Sequence, residues 1–337
     1  MRRVSFTAIT LLSFVSLGAP ALACGGLIGP NGAVNLLKTS TLAGFVDGVE
    51  HYVTSFEFAG GGGEFGSIVP LPDVPTKVER GGDWTLQRLV REVSPPVAEF
   101  AGAVRPAAAE RSAKVILETR IDALDITILE GGGDEVGTWA KEHGFQLPPD
   151  APEVLDFYAE RSPIFMAARF DADAARARGQ GLGDGTPIHL TIPTDNPWVP
   201  LRILALGKQE AETVQADVFL LTERKPRILP RQSDGVKLER SEVASELLVS
   251  DLRSDKGMEW VPDDAWLSYI AIDSDAGKLD FDLAISVDGS MPSRLDAGLS
   301  VPAAVVKSVP ATSYAVLALG LLLIAMWLSA GKLSQHS

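Results

Sequence analysis

Leu279-Asp-Phe-Asp-Leu-Ala-Ile-Ser-Val-Asp288 alternates without a slip. Leu279, Phe281, Leu283, Ile285 and Val287 share one parity; Asp280, Asp282, Ala284, Ser286 and Asp288 share the other. A period of two is the mark of a strand, and aspartates on one parity predict a face turned to water. A sheet with one wet face is antiparallel, because parallel sheets are covered on both sides. Lys278 to Val287 is therefore expected to form a strand, paired as a hairpin with the apolar run Trp266 to Ile272. This sets the expected class: a β-rich, mainly antiparallel α+β domain with a few short helices.

The rest of the chain fits that class. Leu36 to Val46 and Val49 to Phe58 flank Asp47-Gly48, a two-residue hairpin signal. Strands are also expected at Phe65 to Val69, Lys114 to Glu118, Asp122 to Glu130, Ile164 to Phe170, Ile188 to Ile192, Leu201 to Leu206 and Val214 to Thr222. Pro70, Pro72 and Pro75 cannot donate to a ladder and predict an extended connector. Helical spacing of apolar residues predicts helices after Asp83 and Asp134, each read as an N-cap, after Asp150-Ala-Pro152, and over Ser241 to Leu252. Gly81-Gly82-Asp83 and Gly132-Gly133-Asp134 share an outline; with 32 glycines in the chain, coincidence explains it without a repeat. The charged, Gly-rich stretch Asp171 to Gly185 marks a candidate division into two lobes near 171–187.

Both ends read as targeting segments. Arg2 and Arg3 precede an apolar run, Gly18-Ala19-Pro20 breaks it, and Ala21-Leu22-Ala23 supplies the small residues of a signal-peptidase site at Ala21 and Ala23. Near the other end, Ser308 to Gly331 holds no charged residue. A helix over about 22 of these residues is roughly 33 Å long and spans a hydrocarbon core of about 30 Å. Tyr314 and Trp327 lie near its two ends, as aromatic belts require. The expected organisation is a signal peptide at 1–23, an extracytoplasmic domain at 24–304, a tether and transmembrane helix at 305–331, and a cytoplasmic tail at 332–337.

Cys24, the one cysteine, follows the cleavage site directly. It excludes an internal disulfide and a multi-cysteine metal centre. It is either lipidated or a free terminal thiol; Ala21 stands where lipoprotein signals carry Leu. The formal charge of −14 becomes two units more negative once residues 1–23 leave with Arg2 and Arg3. Such a surface repels nucleic acid. Hydrophobic residues at 46% and charged residues at 22% describe a globular chain.

Catalytic signals are sparse. Gly61, Gly63 and Gly66 fit a dinucleotide spacing, but Ser67-Ile-Val-Pro70 follows where a helix must begin. Asp273, Asp275 and Gly277 resemble the start of a calcium loop but lack its distal ligands, so a turn is expected. His51, His143, His189 and His336 are far apart in sequence, and each is read as structural. No catalytic residue, cofactor or metal ligand is assigned. Trp198, between Pro197 and Val199-Pro200, is the tryptophan best placed for the surface, where it could stack on a sugar or a peptide; packing its own loop is the preferred reading.

The order of several motifs resembles an uncharacterised family of exported bacterial proteins, domain of unknown function 2330. The shared features are Cys24-Gly-Gly26, the strand from Val49 to Phe58, Ile68-Val-Pro-Leu-Pro72 with Pro75, Asp125-Ile-Thr-Ile-Leu-Glu130, Gly144-Phe-Gln-Leu-Pro148, and Ile192-Pro193 leading to Val199-Pro-Leu201. The resemblance covers the chain to about residue 225. It implies export and, in many members, a C-terminal membrane segment; it carries no catalytic residue. The expected function is a non-catalytic binding or scaffolding ectodomain held at a membrane, with a protein or glycan partner. The alternative is an exported hydrolase whose site assembles in space, with His51 or His189 beside a carboxylate.

Overall fold

The computed structural model describes residues 26–29, 32–33, 39–56, 65–94, 114–171, 173–174, 176–178 and 186–299. Cys24, Ala21, Ala23, His336 and the apolar stretch 308–331 lie outside them. Among the described residues, no helix is long and apolar enough to cross a membrane.

The first half contains β1 (Gly26–Gly29), β2 (Gly32–Ala33), β3 (Thr39–Val46), β4 (Val49–Phe56), β5 (Phe65–Leu71) and β6 (Lys77–Arg80), then α1 (Thr85–Val93). It continues with β7 (Lys114–Ile121), β8 (Leu124–Glu130), α2 (Gly133–Glu142), α3 (Ala151–Ala159) and β9 (Ile164–Phe170). The second half contains β10 (Thr186–Pro193), β11 (Trp198–Val199), β12 (Thr213–Thr222), β13 (Arg227–Leu229), β14 (Gln232–Ser233) and β15 (Val236–Val243). It closes with α4 (Glu246–Ser254), β16 (Trp266–Asp275) and β17 (Leu283–Ser286).

The described strands form three sheets. The first runs β2-β1-β5-β9-β8-β7, the second β14-β15-β16-β12-β3-β4-β10-β6, and the third β11-β17-β13. All pairings are antiparallel except β12 with β3. Over the described residues the fold is thus β-rich and mainly antiparallel, with four short helices. Asp47 and Gly48 take the positive φ values, 51° and 76°, that the β3–β4 hairpin turn demands.

The side-chain period of two builds four layers. Ile126, Ile128 and Met166 of the first sheet meet Tyr52, Leu190, Val218 and Ile270 of the second in a shared core. The opposite parity of the first sheet, Leu129, Phe165 and Ala167, packs under Val136 and Trp139 of α2 and Leu155 and Tyr158 of α3. That of the second sheet, Leu42, Val53, Phe219 and Leu267, packs under Leu86 and Leu89 of α1 and Leu248 and Leu252 of α4. The second sheet crosses the expected boundary near 171–187: β3, β4 and β6 come from before it, and β10, β12 and β14 to β16 from after. The described residues belong to one compact unit, Met1–Ser300.

Five local expectations are corrected. Residues 278–287 are not one strand: β17 begins at Leu283 and pairs with β11 and β13, while β16 pairs with β12 and β15. Leu201 to Leu206 is not a strand but a 3-10 turn, Arg202–Ala205. Ser241 to Val243 ends β15, and α4 starts only after Ser245, whose side chain accepts from the Leu248 N–H. Pro70 lies within β5; it has β9 on one side, and β1 reaches only Ile68 on the other, so its missing N–H interrupts no ladder there.

The helix caps are the fifth. Asp83 does not cap α1. Asp255, just after α4, accepts from the N–H groups of Asp83 and Trp84, each at 3.0 Å, and from the Thr85 hydroxyl at 2.8 Å. A Cβ on Gly82 would lie 2.3 Å from an Asp255 oxygen, so only glycine admits the carboxylate. Likewise Asp134 lies inside the first turn of α2, and Asp156 of α3 accepts from the Gly133 N–H at 2.8 Å. The two Gly-Gly-Asp segments share one device: a missing side chain makes room for a cap from a neighbouring helix.

Candidate functional site

Three places concentrate chemistry. The first is the segment read above as a wet strand face. Asp282 is fully buried and forms an ion pair with Arg161, whose side chain is also buried. One Asp282 oxygen also accepts from the Tyr158 hydroxyl at 2.9 Å and from the N–H groups of Leu201 at 2.7 Å and Arg202 at 3.1 Å. Tyr158 in turn accepts from the Ile203 N–H at 2.9 Å. Burial, then the Asp282 carboxylate, push the Tyr158 phenol well above its ordinary value. Trp198 belongs here too. It is 3% exposed, so the speculative surface contact gives way to the packing role. Its ring stacks on Tyr158 at 5.7 Å and lies under the Arg161 guanidinium at 4.8 Å. This cluster ties α3 to the 3-10 turn and to the end of the domain; its groups face each other, which is the geometry of a fastener.

The second place is a histidine pair. His51 of β4 stands opposite Thr191 of β10, and His189 stands opposite Val53, so the two imidazoles are diagonal neighbours on one face. His51 Nδ1 lies 2.9 Å from His189 Nε2. Trp260 stacks flat on His51, with ring centres 4.2 Å apart and planes 2° apart. Gly44 permits that stack, because a Cβ there would lie 2.2 Å from the indole. Glu79 is 3.7 Å from His189 Nδ1. Burial, then the neighbouring His189, lower His51 to about 4; burial, then Lys77, lower His189 to about 4. Both rings are neutral near pH 7. Among the described residues, neither ring is hydrogen-bonded to a hydroxyl it could activate, and no three His, Cys, Asp or Glu side chains converge as a metal site. His143 stands apart at the end of α2, stacked on Trp139.

The third place is a groove of about 670 Å³ between β13 and β15. Pro226, Ile228 and Leu238 supply apolar lining, and Met291 adds an exposed thioether. Lys225, Arg227 and Arg231 supply exposed positive charge. None of the three has an ion-pair partner among the described residues. Ser241 accepts from the Trp266 indole N–H at 3.0 Å, and its hydroxyl lies 3.4 Å from that of Ser268. Lys225 lies 5.4 Å from the centre of the Trp266 ring. A smaller hollow of about 280 Å³ lies beside Arg202 and Lys208, but there Glu153 and Glu212 neutralise the cations. Chemically, an unneutralised cationic groove with apolar lining can hold an anion with an apolar body. Sequence reading missed it. The available signal was Arg224, Lys225, Arg227 and Arg231 within eight positions of an acidic chain.

Asp273 and Asp275 lie at the end of β16, where Asp275 pairs with Lys278 at 2.8 Å. Over residues 18–270 the sequence matches the model of a family described as an uncharacterized protein conserved in bacteria, DUF2330. The chain belongs to this family. No curated protein matches this DUF2330 chain. Among solved structures it is similar to a mutated baculovirus P35 after caspase cleavage: 8% identity, TM-score 0.38, covering 75% of this chain and 98% of that one. It is also similar to a chain of the caspase-8/P35 complex: 8% identity, TM-score 0.35, covering 73% of this chain and 89% of that one. Likeness at that level assigns neither fold nor activity to the DUF2330 chain.

Proposed function

We propose that this chain is a membrane-held extracytoplasmic binding protein whose ectodomain takes an anionic partner in the groove between β13 and β15. The carrying observation is the unneutralised trio Lys225, Arg227 and Arg231 on an apolar groove, in a chain of formal charge −14. Such a chain otherwise repels anions, so a local cationic site selects where one docks. The signal-like 1–23 and the uncharged stretch 308–331 support export and a single anchor. Among the described residues, the groove lining holds no carboxylate, imidazole or thiol for acid–base or nucleophilic chemistry, which favours binding over hydrolysis.

The test uses the full chain in detergent micelles, with hexaglutamate as the probe. Binding should weaken at least tenfold in Arg227→Glu/Arg231→Glu and fall steeply with salt. Equal affinity in the double variant overturns the site. Membrane fractionation checks the anchor: a chain found wholly in the soluble fraction, with residues 1–23 attached, rules it out. The hydrolase alternative rests on the His51–His189 pair; ester hydrolysis lost in His51→Gln, with melting unchanged, would favour it instead.

A further inference from the structure

We infer that the groove takes an extended acidic peptide from a partner protein, which adds as a strand between β13 and β15. This rests on the anionic-partner reading above and narrows it. Two sheet edges border the groove. Among the described residues, β13 ends the three-stranded sheet, with β17 as its one neighbour. β15 is paired with β16 over Val236 to Val243, yet β14 covers only Val236 and Lys237 on the other side. From Leu238 to Val243 that second side has no strand neighbour among the described residues. Arg227 and Ile228 of β13 and Leu238 and Ser241 of β15 line the same groove.

Strand edges carry backbone donors and acceptors in series, and a second backbone is the ligand that meets them in series. A compact anion would satisfy the cations and leave the edges open. Exposed apolar side chains belong to the same region: Met291, 55% exposed, lines the groove, and Val243, 62% exposed, ends β15.

Charge then selects the peptide. The acids of β15 are committed locally: Glu239 to Lys237 at 2.6 Å and Glu242 to Arg240 at 3.2 Å. Lys225, Arg227 and Arg231 are not. A strand with carboxylates on one parity and apolar residues on the other presents the first to these cations and the second to Ile228 and Leu238. The β15–β16 register shifts between Leu238 and Arg240, and charges flank that irregularity; both features keep an edge from pairing indiscriminately. An acidic strand is the one this edge favours.

Fluorescence polarisation on the full chain in micelles tests the inference. The probe is a fluorescein-labelled decapeptide alternating Glu and Val. Its binding should weaken at least tenfold when alternate backbone nitrogens are methylated, and at least tenfold in Arg227→Glu/Arg231→Glu. A Lys/Val decapeptide should not bind. Equal binding of the methylated peptide overturns strand addition. So does failure of the Glu/Val peptide where hexaglutamate still binds; that outcome leaves the anionic site standing. Failure of both probes overturns both readings. The two arginines are exposed, so circular dichroism of the double variant should be unchanged.

Discussion

Glu50→Gln should stabilise the protein, and the gain should grow with pH. Glu50 of β4 is fully buried. Burial raises its carboxyl from 4.5 to about 8, with the Trp198 backbone acting weakly the other way. An acid with a raised folded pKa contributes its full stability below pH 4.5 and loses it as pH rises toward 8. At pH 7 the folded carboxyl is mostly protonated while the unfolded one is ionised. Holding a proton 2.5 pH units above the unfolded pKa costs about 3 kcal/mol at 1.36 kcal/mol per unit. At pH 5 the same cost is under about 1 kcal/mol. Glutamine keeps the shape and removes the ionisation. Thermal melts of wild type and variant at pH 5, 7 and 8 read the difference. The variant should gain roughly 6 °C or more at pH 7 and little at pH 5. A gain independent of pH, or a less stable variant at pH 8, would refute the burial argument. The histidines titrate alike in both proteins, so their contribution cancels in the comparison.

The histidine pair pulls in the opposite direction. Both folded values, about 4, lie below the ordinary 6.5, so the unfolded chain binds more protons between them and stability falls as pH drops from 6.5 to 4. In the Glu50→Gln background that loss should be visible in urea midpoints and shrink in His51→Gln/His189→Gln. Asp282→Asn should cost about 3–5 kcal/mol in equilibrium unfolding, because it strands the buried Arg161 guanidinium; a cost under about 1 kcal/mol would show the cluster to be ornamental. Gly82→Ala should cost about 1–2 kcal/mol by displacing the Asp255 carboxylate from α1, and amide exchange of Trp84 should accelerate in the variant.

Periodicity and turn chemistry revealed elements more readily than partners. The β3–β4 hairpin, α2, α3 and β9 were legible because parity, Asp-Gly and helical spacing act within ten residues. Asp282 was misread for the same reason. Alternation placed it on one parity, and an aspartate there reads as wet; its partner Arg161 is 121 positions away. The packing partners of Trp198, Arg161 and Tyr158, were hidden by the same distance along the chain. His51 and His189 were noticed singly, but a register linking residues 138 apart is a property of β4 meeting β10. The paired Gly-Gly-Asp outline was visible, while its cause was not: Asp255 and Asp156 arrive from other helices. The groove left no periodic trace, because β13 and β14 are only three and two residues long.

The parallel contact between β3 and β12 imposes an order of events. Ribosomes make the amino end first, and about 170 residues separate Thr39 from Thr213. At 5–20 residues per second, the early hairpin waits on the order of ten seconds for the strand that will flank it. During that interval its inner rim is bare, and a chaperone would have something definite to guard.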